Sequence, residues 1–376
     1  MDLAGQDGDR PTRHARSLNM PRLEPFWAEA PSFPDAFLNE LVAAEPVQRL
    51  RRVGFLGAVD YLVHGNGHAP HRRRHNRFDH SVNVALLALR YALLRELSSE
   101  ETRILTSAAL LHDVGHGPLS HTLEPVFRSL FGTDHHRAGQ AILEGRSPHG
   151  NAISQIFAKH GVDLDEVLGL LSGVHTGPHA FLFDSPMNVD TIEAIARCCL
   201  FSNTPHHVPP ADFIDAIAIH ENFPTEIADR FWSCKEVVYR SLIGSRSGLA
   251  ADMLAQCYMV ARAAHFDGSD FHLDDIQLRR KHPELFVLLE TLRNPAGFCE
   301  EGALAFQLVD LDCEVEAYTR RFTVNTGARV HSPKDLTVRY AQEKTRYRIS
   351  LRSLLGRYQH PSERPFLHDL ESPLMD

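Results

Sequence analysis

The densest chemistry in this chain lies in Leu110-Leu111-His112-Asp113-Val114-Gly115-His116-Gly117-Pro118-Leu119-Ser120-His121, where an apolar run ends in a His-Asp pair, a glycine and two more histidines. Upstream stands His80, fed by the basic run His71-Arg72-Arg73-Arg74-His75-Asn76-Arg77; downstream stands Asp190, in Asn188-Val189-Asp190-Thr191. Imidazole nitrogen mixed with carboxylate oxygen suits a borderline divalent ion such as Mn, Fe, Co, Ni or Zn and leaves positions open for water and substrate. Such an ion polarises a phosphoryl oxygen and acidifies a water, the two needs of phosphate-ester hydrolysis. Plainer readings exist for each group. His112-Asp113 could be a helix terminus or a surface ion pair, Asp190 stands where an N-cap carboxylate is expected, and the basic run could be a solvated loop instead of a phosphate-attracting rim.

Helix ends would have to deliver these side chains. Ser98 and Glu101 predict a capping box for a helix whose buried face is Ile104, Leu105, Ala108, Ala109 and Leu111, which puts the His-Asp pair at its C-terminal end. Val84, Leu87, Tyr91 and Leu94 predict a second helix with His80 in its first turn. A helix is expected from Phe37 to Leu50. Pro118 should open another through Leu123, Val126, Phe127 and Leu130, stopped by Gly132. Thr133-Asp134 should cap the next, and helical spacing continues over 152–159, 164–171, 225–243 and 249–264. Near residue 300 the period falls to two: Val309, Leu311, Cys313 and Val315 alternate with acids, as in a strand with one wet face. Arg321 to His331, around Asn325-Thr326-Gly327, reads as a hairpin, and Leu336 to Tyr340 as a further strand. The expected fold class is mainly α: a polar arm over 1–22, a helical core over 23–290, and a small α+β lobe with an antiparallel sheet over 291–376.

Composition narrows the function classes. A chain of 376 residues suits one large domain or two ordinary ones. Its net charge of −9 argues against general nucleic-acid coating, and 24 histidines raise the expectation of metal or acid-base chemistry. Charge is uneven: Arg320 to Arg357 carries a local +8, leaving −17 elsewhere, so this lobe could dock a subunit or an anionic effector, including nucleic acid, or simply pack on acidic neighbours. The six cysteines form no C-x-x-C pair, no apolar signal core follows the acidic N-terminus, and no apolar run approaches the ~18 residues of a membrane span. These features read as a cytoplasmic protein with reduced thiols. P-loop, dinucleotide and G-x-S-x-G fingerprints are absent from the sequence.

Taken together, His75-Asn76-Arg77-Phe78-Asp79-His80-Ser81, Leu111 to His121, and Val189-Asp190 with Ala196-Arg197 closely resemble the HD-domain metal-dependent phosphohydrolase superfamily, nearest its deoxynucleoside triphosphate triphosphohydrolase-like branch. The likeness covers about Pro46 to Ala264. It implies an HD-domain helical core and one divalent metal (Mn, Fe, Co, Ni, Zn or Mg) held by His80, His112, Asp113 and Asp190. It implies substrate contacts from Arg77 and His121, with His116 on the substrate side. The phase of the helix after Asp134 aligns His136 with the family's catalytic histidine, with His135 possible by one-residue slippage, and Glu124 with the acid that orients it. The implied substrate is a small phosphate ester or anhydride, in the first place a nucleotide, and the implied assembly a homo-oligomer.

The chain departs from that branch where the sugar is read. The family carries a Lys directly after the last metal Asp, a Tyr four residues after it and an Asp eight after it, and here those places hold Thr191, Ala194 and Cys198. Phe55 replaces a glutamine near the sugar, and Arg137 follows the aligned histidine where a Glu is usual. A dinuclear HD phosphodiesterase or oxygenase, using spare histidines such as His116, His136, His160 and His175, and a catalytically idle sensor or scaffold remain alternatives. Metal stoichiometry separates the first and loss of turnover the second.

Overall fold

A computed structural model describes residues 22–62, 74–175, 177–204, 208–219, 224–291, 314–330 and 336–350. The expected arm up to residue 21, His71 to Arg73, and the strand residues Val309 to Cys313 lie outside the described residues. The helical elements are α1 (Ala36–Ala43), α2 (Glu45–Arg49), α3 (Arg77–Leu94), α4 (Ser99–Leu111), α5 (Glu124–Phe131), α6 (His135–Leu143), α7 (Ala152–His160), α8 (Leu164–Leu171), α9 (Phe181–Asp184), α10 (Val189–Ser202), α11 (Pro210–Ile219), α12 (Thr225–Val238), α13 (Arg246–Ala261), α14 (Asp275–Lys281) and α15 (Pro283–Thr291). Strands β1 (Glu314–Val324) and β2 (Tyr340–Ser350) complete a mainly α fold with a small antiparallel sheet.

The core is built around α3, which is buried continuously from Arg77 to Leu89. Its apolar residues occupy more than one face, so it takes neighbours on several sides: α4, α10 and α11 all pack on it. Asn76 caps its start by accepting from the Asp79 N–H, and the Ser98/Glu101 capping box opens α4 as expected. Asn76 sits one turn before His80 and the Ser98 cap one helix-length before His112, so these caps, typically worth about 1 kcal/mol, also fix where those helices begin.

Three expected elements differ. The helix over Phe37 to Leu50 is broken at Ala44, which is extended, because Pro46 belongs to the first turn of a new helix and cannot continue the old one. Pro118 opens no helix: Leu119 and Ser120 both have positive φ, 55° and 48°, and the chain stays in turns until α5, whose first turn holds Pro125. Gly132, at φ 66°, then stops α5 as expected. The third difference is the sheet. Asn325 to Gly327 does turn, but β1 pairs with Tyr340 to Ser350, from Glu314↔Ser350 to Val324↔Tyr340, after a helical turn at Leu336–Arg339 that had read as strand. Arg339 accounts for the wide connection: its guanidinium donates to the carbonyls of Asn325, Thr326 and Ala328 and pairs with Asp229 of α12. The sheet docks through Phe322, whose ring lies 5.4 Å from Trp232 and 4.8 Å from Tyr239, and through Tyr340 on the same tryptophan.

Candidate metal centre and histidine cluster

Three helix ends bring His80, His112 and Asp190 together, with Asp113 beside them. His80 sits in the first turn of α3, His112 caps the C-terminal end of α4 with Asp113 next to it, and Asp190 lies in the first turn of α10. His80 Nε2 is 3.2 Å from His112 Nε2, 3.0 Å from Asp190 Oδ1 and 3.5 Å from Asp113 Oδ2; His112 Nε2 is 3.4 Å from Asp113 Oδ1. The tautomers follow from the outer contacts. His112 Nδ1 is 2.8 Å from the Ala109 carbonyl, which only accepts, and His80 Nδ1 is 2.5 Å from the Glu193 carboxylate, so both protons sit on Nδ1 and both Nε2 lone pairs face inward. Two lone pairs 3.2 Å apart repel unless a cation lies between them or one ring gains a second proton. Burial opposes that proton, yet Asp113 and Asp190 outweigh it and push the pKa of His112 up to about 9. The donor set therefore fits a divalent ion, whose charge serves the same carboxylates.

Asp190 could do this because Asn188, not Asp190, caps α10, accepting from the Thr191 N–H at 2.7 Å. The plainer cap reading of Asp190 is set aside by that contact. Behind His80, the Glu193 carboxylate is held by Arg197 (Nη2 at 2.5 Å) and by Asn83 (3.2 Å), while Arg197 also donates to the Pro25 carbonyl. A ring nitrogen donated to a carboxylate fixes a ligating histidine's orientation and raises its basicity. Glu193 was not singled out from the sequence, although its place one turn after Asp190 and four residues before Arg197 was there to be read. Arg49 was missed too: almost fully buried, it donates to the carbonyls of Val114 and His116 and so pins the turn after the His-Asp pair.

Arg77, for which the resemblance implies a phosphate contact, has three partners within the chain. Buried at 4% exposure, it donates Nη1 to Asp113 (2.7 Å), Nε to Ser120 (3.0 Å) and Nη2 to the Phe55 carbonyl (3.0 Å). Here it holds the carboxylate of the candidate ligand Asp113, whose pKa it helps to keep well below the usual carboxylate range against the cost of burial.

Beside the first group lies a second: His116, His121, Glu124 and His135. Glu124 Oε2 meets His135 Nδ1 at 2.5 Å and His121 Nδ1 at 3.7 Å, and Oε1 accepts from Arg128 at 2.9 Å. His116, fully buried, stacks on His135 with ring centres 4.2 Å apart and points Nε2 at Asp113 Oδ1, 3.1 Å away. Burial, then Arg77, hold the pKa of His116 well below its ordinary value, so it is neutral at physiological pH. The register of α6 is thus one residue from the expected one: Glu124 holds His135, and His136 is exposed outside the pair. The reason is the cap. Asp134 accepts from the Arg137 N–H, which starts the helix at His135 and turns that ring inward. Gly115 allows the approach, since a Cβ there would lie 2.0 Å from the His135 carbonyl and 2.3 Å from the Gly139 nitrogen.

The expected sugar positions are apolar or closed. Phe55 is buried with its ring 4.8 Å from His80, Ala194 is half-buried, and Cys198 is buried, which pushes its thiol well above the ordinary range.

Helix ends that converge His, His-Asp and Asp on one point define a helical metal-site protein, and residues 77–175 match the family described as the HD domain. That match spans 99 of the 376 residues, about a quarter of the chain. Over 139 residues it is 30% identical to the uncharacterized protein YwfO of Bacillus subtilis, covering 36% of this chain and 30% of the relative. It is 29% identical over 153 residues to the deoxynucleoside triphosphate triphosphohydrolase SAMHD1 of Bos taurus, covering 38% of this chain and 24% of that one. The matches thus span less than a third of either relative. A solved phosphohydrolase from Bacteroides thetaiotaomicron shares the fold at TM-score 0.61 and 14% identity, covering 85% of this chain and 96% of its own. A hypothetical protein from Aquifex aeolicus does so at 0.59 and 16%, covering 87% and 95%. Among the described residues no helix is long and apolar enough to cross a membrane.

Proposed function

We propose that this chain is a metal-dependent phosphohydrolase that cleaves a phosphate ester or anhydride of a nucleotide or related small molecule in the cytoplasm, as a homo-oligomer. The observation that carries the reading is the pairing of two inward Nε2 lone pairs, flanked by carboxylates, with a second, Glu124-oriented histidine alongside. A divalent ion held by His80, His112, Asp113 and Asp190 would polarise the phosphoryl group and acidify the attacking water. Glu193 and Arg77 keep His80 and Asp113 aimed. Glu124 holds the His135 proton at Nδ1, which leaves Nε2 to take up or return a proton near the leaving group; we assign this role to His135 in place of His136. Neutral His116 offers polar but uncharged contact between the two groups, and His121, at 63% side-chain exposure, stands where substrate would arrive.

The test is phosphate release from ribo- and deoxyribonucleotides and sugar phosphates with added Mn, Co, Ni or Mg. Because Thr191, Ala194, Cys198 and Phe55 leave no set of polar groups to be stranded by a ribose or deoxyribose, discrimination between dGTP and GTP should stay well below the 10⁴- to 10⁵-fold seen where such groups are buried. Turnover of dGTP with GTP refused would overturn the substrate part of the reading, and no release from any substrate with any metal would overturn the hydrolytic part.

A further inference from the structure

We propose that His116, His121, Glu124 and His135 form a second cation site, selective for a nitrogen-preferring ion of the zinc class, whose occupation silences the histidine–glutamate proton relay. Each of the four residues presents a donor atom within 4.8 Å of the other three. The set is three imidazoles and one carboxylate, the composition that favours Zn, Co or Ni over Mg or Ca. Tetrahedral coordination with bonds near 2.1 Å requires donors about 3.4 Å apart, so the longer separations must close by an ångström or so while the 2.5 Å Glu124–His135 pair opens. His121 is the side chain free to do it, because it is exposed whereas the other three are packed.

A second observation points to a ligand. His116 has no exposed surface at all, and while its Nε2 lies 3.1 Å from the Asp113 carboxylate, its Nδ1 makes no hydrogen bond. A buried polar group left unpaired is costly, and one flanked by two further histidines and a carboxylate has an obvious partner in a cation. Support around the site also fits: Arg128 holds the outer oxygen of Glu124 at 2.9 Å, leaving Oε2 turned to the histidines. The exposed edge of His121 supplies the way in. An ion here competes with the proton between His135 Nδ1 and Glu124 Oε2, now 2.5 Å apart, so the inhibitory consequence rests on the relay proposed above, while the binding does not.

The experiment therefore reads metal alone. Full-length protein, stripped with chelator, is dialysed against zinc and separately against cobalt, and metal per chain is measured together with the visible absorption of the cobalt form. Two equivalents are expected in the wild type, the second adding the intense bands of four-coordinate cobalt. His121→Ala, on the surface and harmless to folding, and Glu124→Gln should each bind one equivalent, and Asp113→Ala should lose the first and keep the second. A wild type that saturates at one equivalent, or a second equivalent that survives in both His121→Ala and Glu124→Gln, would overturn the proposal. Either result leaves the hydrolytic reading standing, since that is decided by phosphate release with a single equivalent bound.

Discussion

Replacing Glu193 with Gln tests how the metal centre is held. The Glu193 side chain is 5% exposed and receives His80, Arg197 and Asn83. Burial raises its pKa, but Arg197 and then His80 outweigh that and set it at about 2, against an ordinary 4.5. At 1.36 kcal/mol per unit the gap is worth about 3 kcal/mol. The folded pKa is the depressed one, so this stability is present above about pH 4.5 and is lost as pH falls towards 2. The substitution also leaves Arg197, 2% exposed, without its carboxylate, and breaking a buried pair from one side costs about 3 to 5 kcal/mol. Both routes give a loss of about 3 kcal/mol or more in urea unfolding of the metal-free protein at pH 7. Metal affinity, read by competition with a chromophoric chelator, should fall about 10- to 100-fold because His80 is no longer oriented by an anion. The double variant Glu193→Gln/Arg197→Met removes the stranded cation, and should regain much of the stability while affinity stays low. Native affinity in Glu193→Gln, or recovery of both quantities in the double variant, would show that Glu193 serves packing alone.

Turnover of His135→Ala should drop by about 10²- to 10⁴-fold with the metal of the first site retained, and His136→Ala should change little; the reverse ranking, measured by phosphate release, would restore the register expected from the sequence. Asp113→Ala should lose the metal of the first site, by elemental analysis, while far-UV circular dichroism retains most of the helix signal, because the ligand stands at a helix end. Asp229→Ala removes the carboxylate that Arg339 and Tyr340 share, which should cost about 1.5 to 3 kcal/mol and make the connection between β1 and β2 sensitive to limited proteolysis before the core. Light scattering at moderate salt should report a dimer or larger, and a monomer at micromolar concentration would refute the proposed self-association.

What could be read from the sequence follows from how local each signal is. The capping box at Ser98, the stop at Gly132 and the cap at Asp134 depend on residues within one turn, and all three stand in the structure. The sheet partner could not be read this way, because Tyr340 to Ser350 is exposed on both faces for most of its length and shows no alternation; its pairing is set by Arg339, which gathers one loop and reaches α12. The candidate ligands were legible as types, yet their aim was not. Asp190 had a local explanation as a cap, and only the structure assigns that task to Asn188 and frees the carboxylate to face His80 and His112. His135 and His136 differ by 100° around a helix, and what selects between them is Glu124, eleven residues away, together with a glycine that lets α6 approach. Arg77 makes the same point from the other side: a guanidinium beside a metal motif suggests a phosphate by its chemistry, and the sequence does not show that three buried acceptors from two separate segments also hold it. The chemistry is therefore decided less by which residues are present than by which of them are relieved of structural duty. At this centre that relief comes from neighbours, Asn188 for Asp190 and Asp134 for the start of α6, whose own signals are no more than ordinary helix caps.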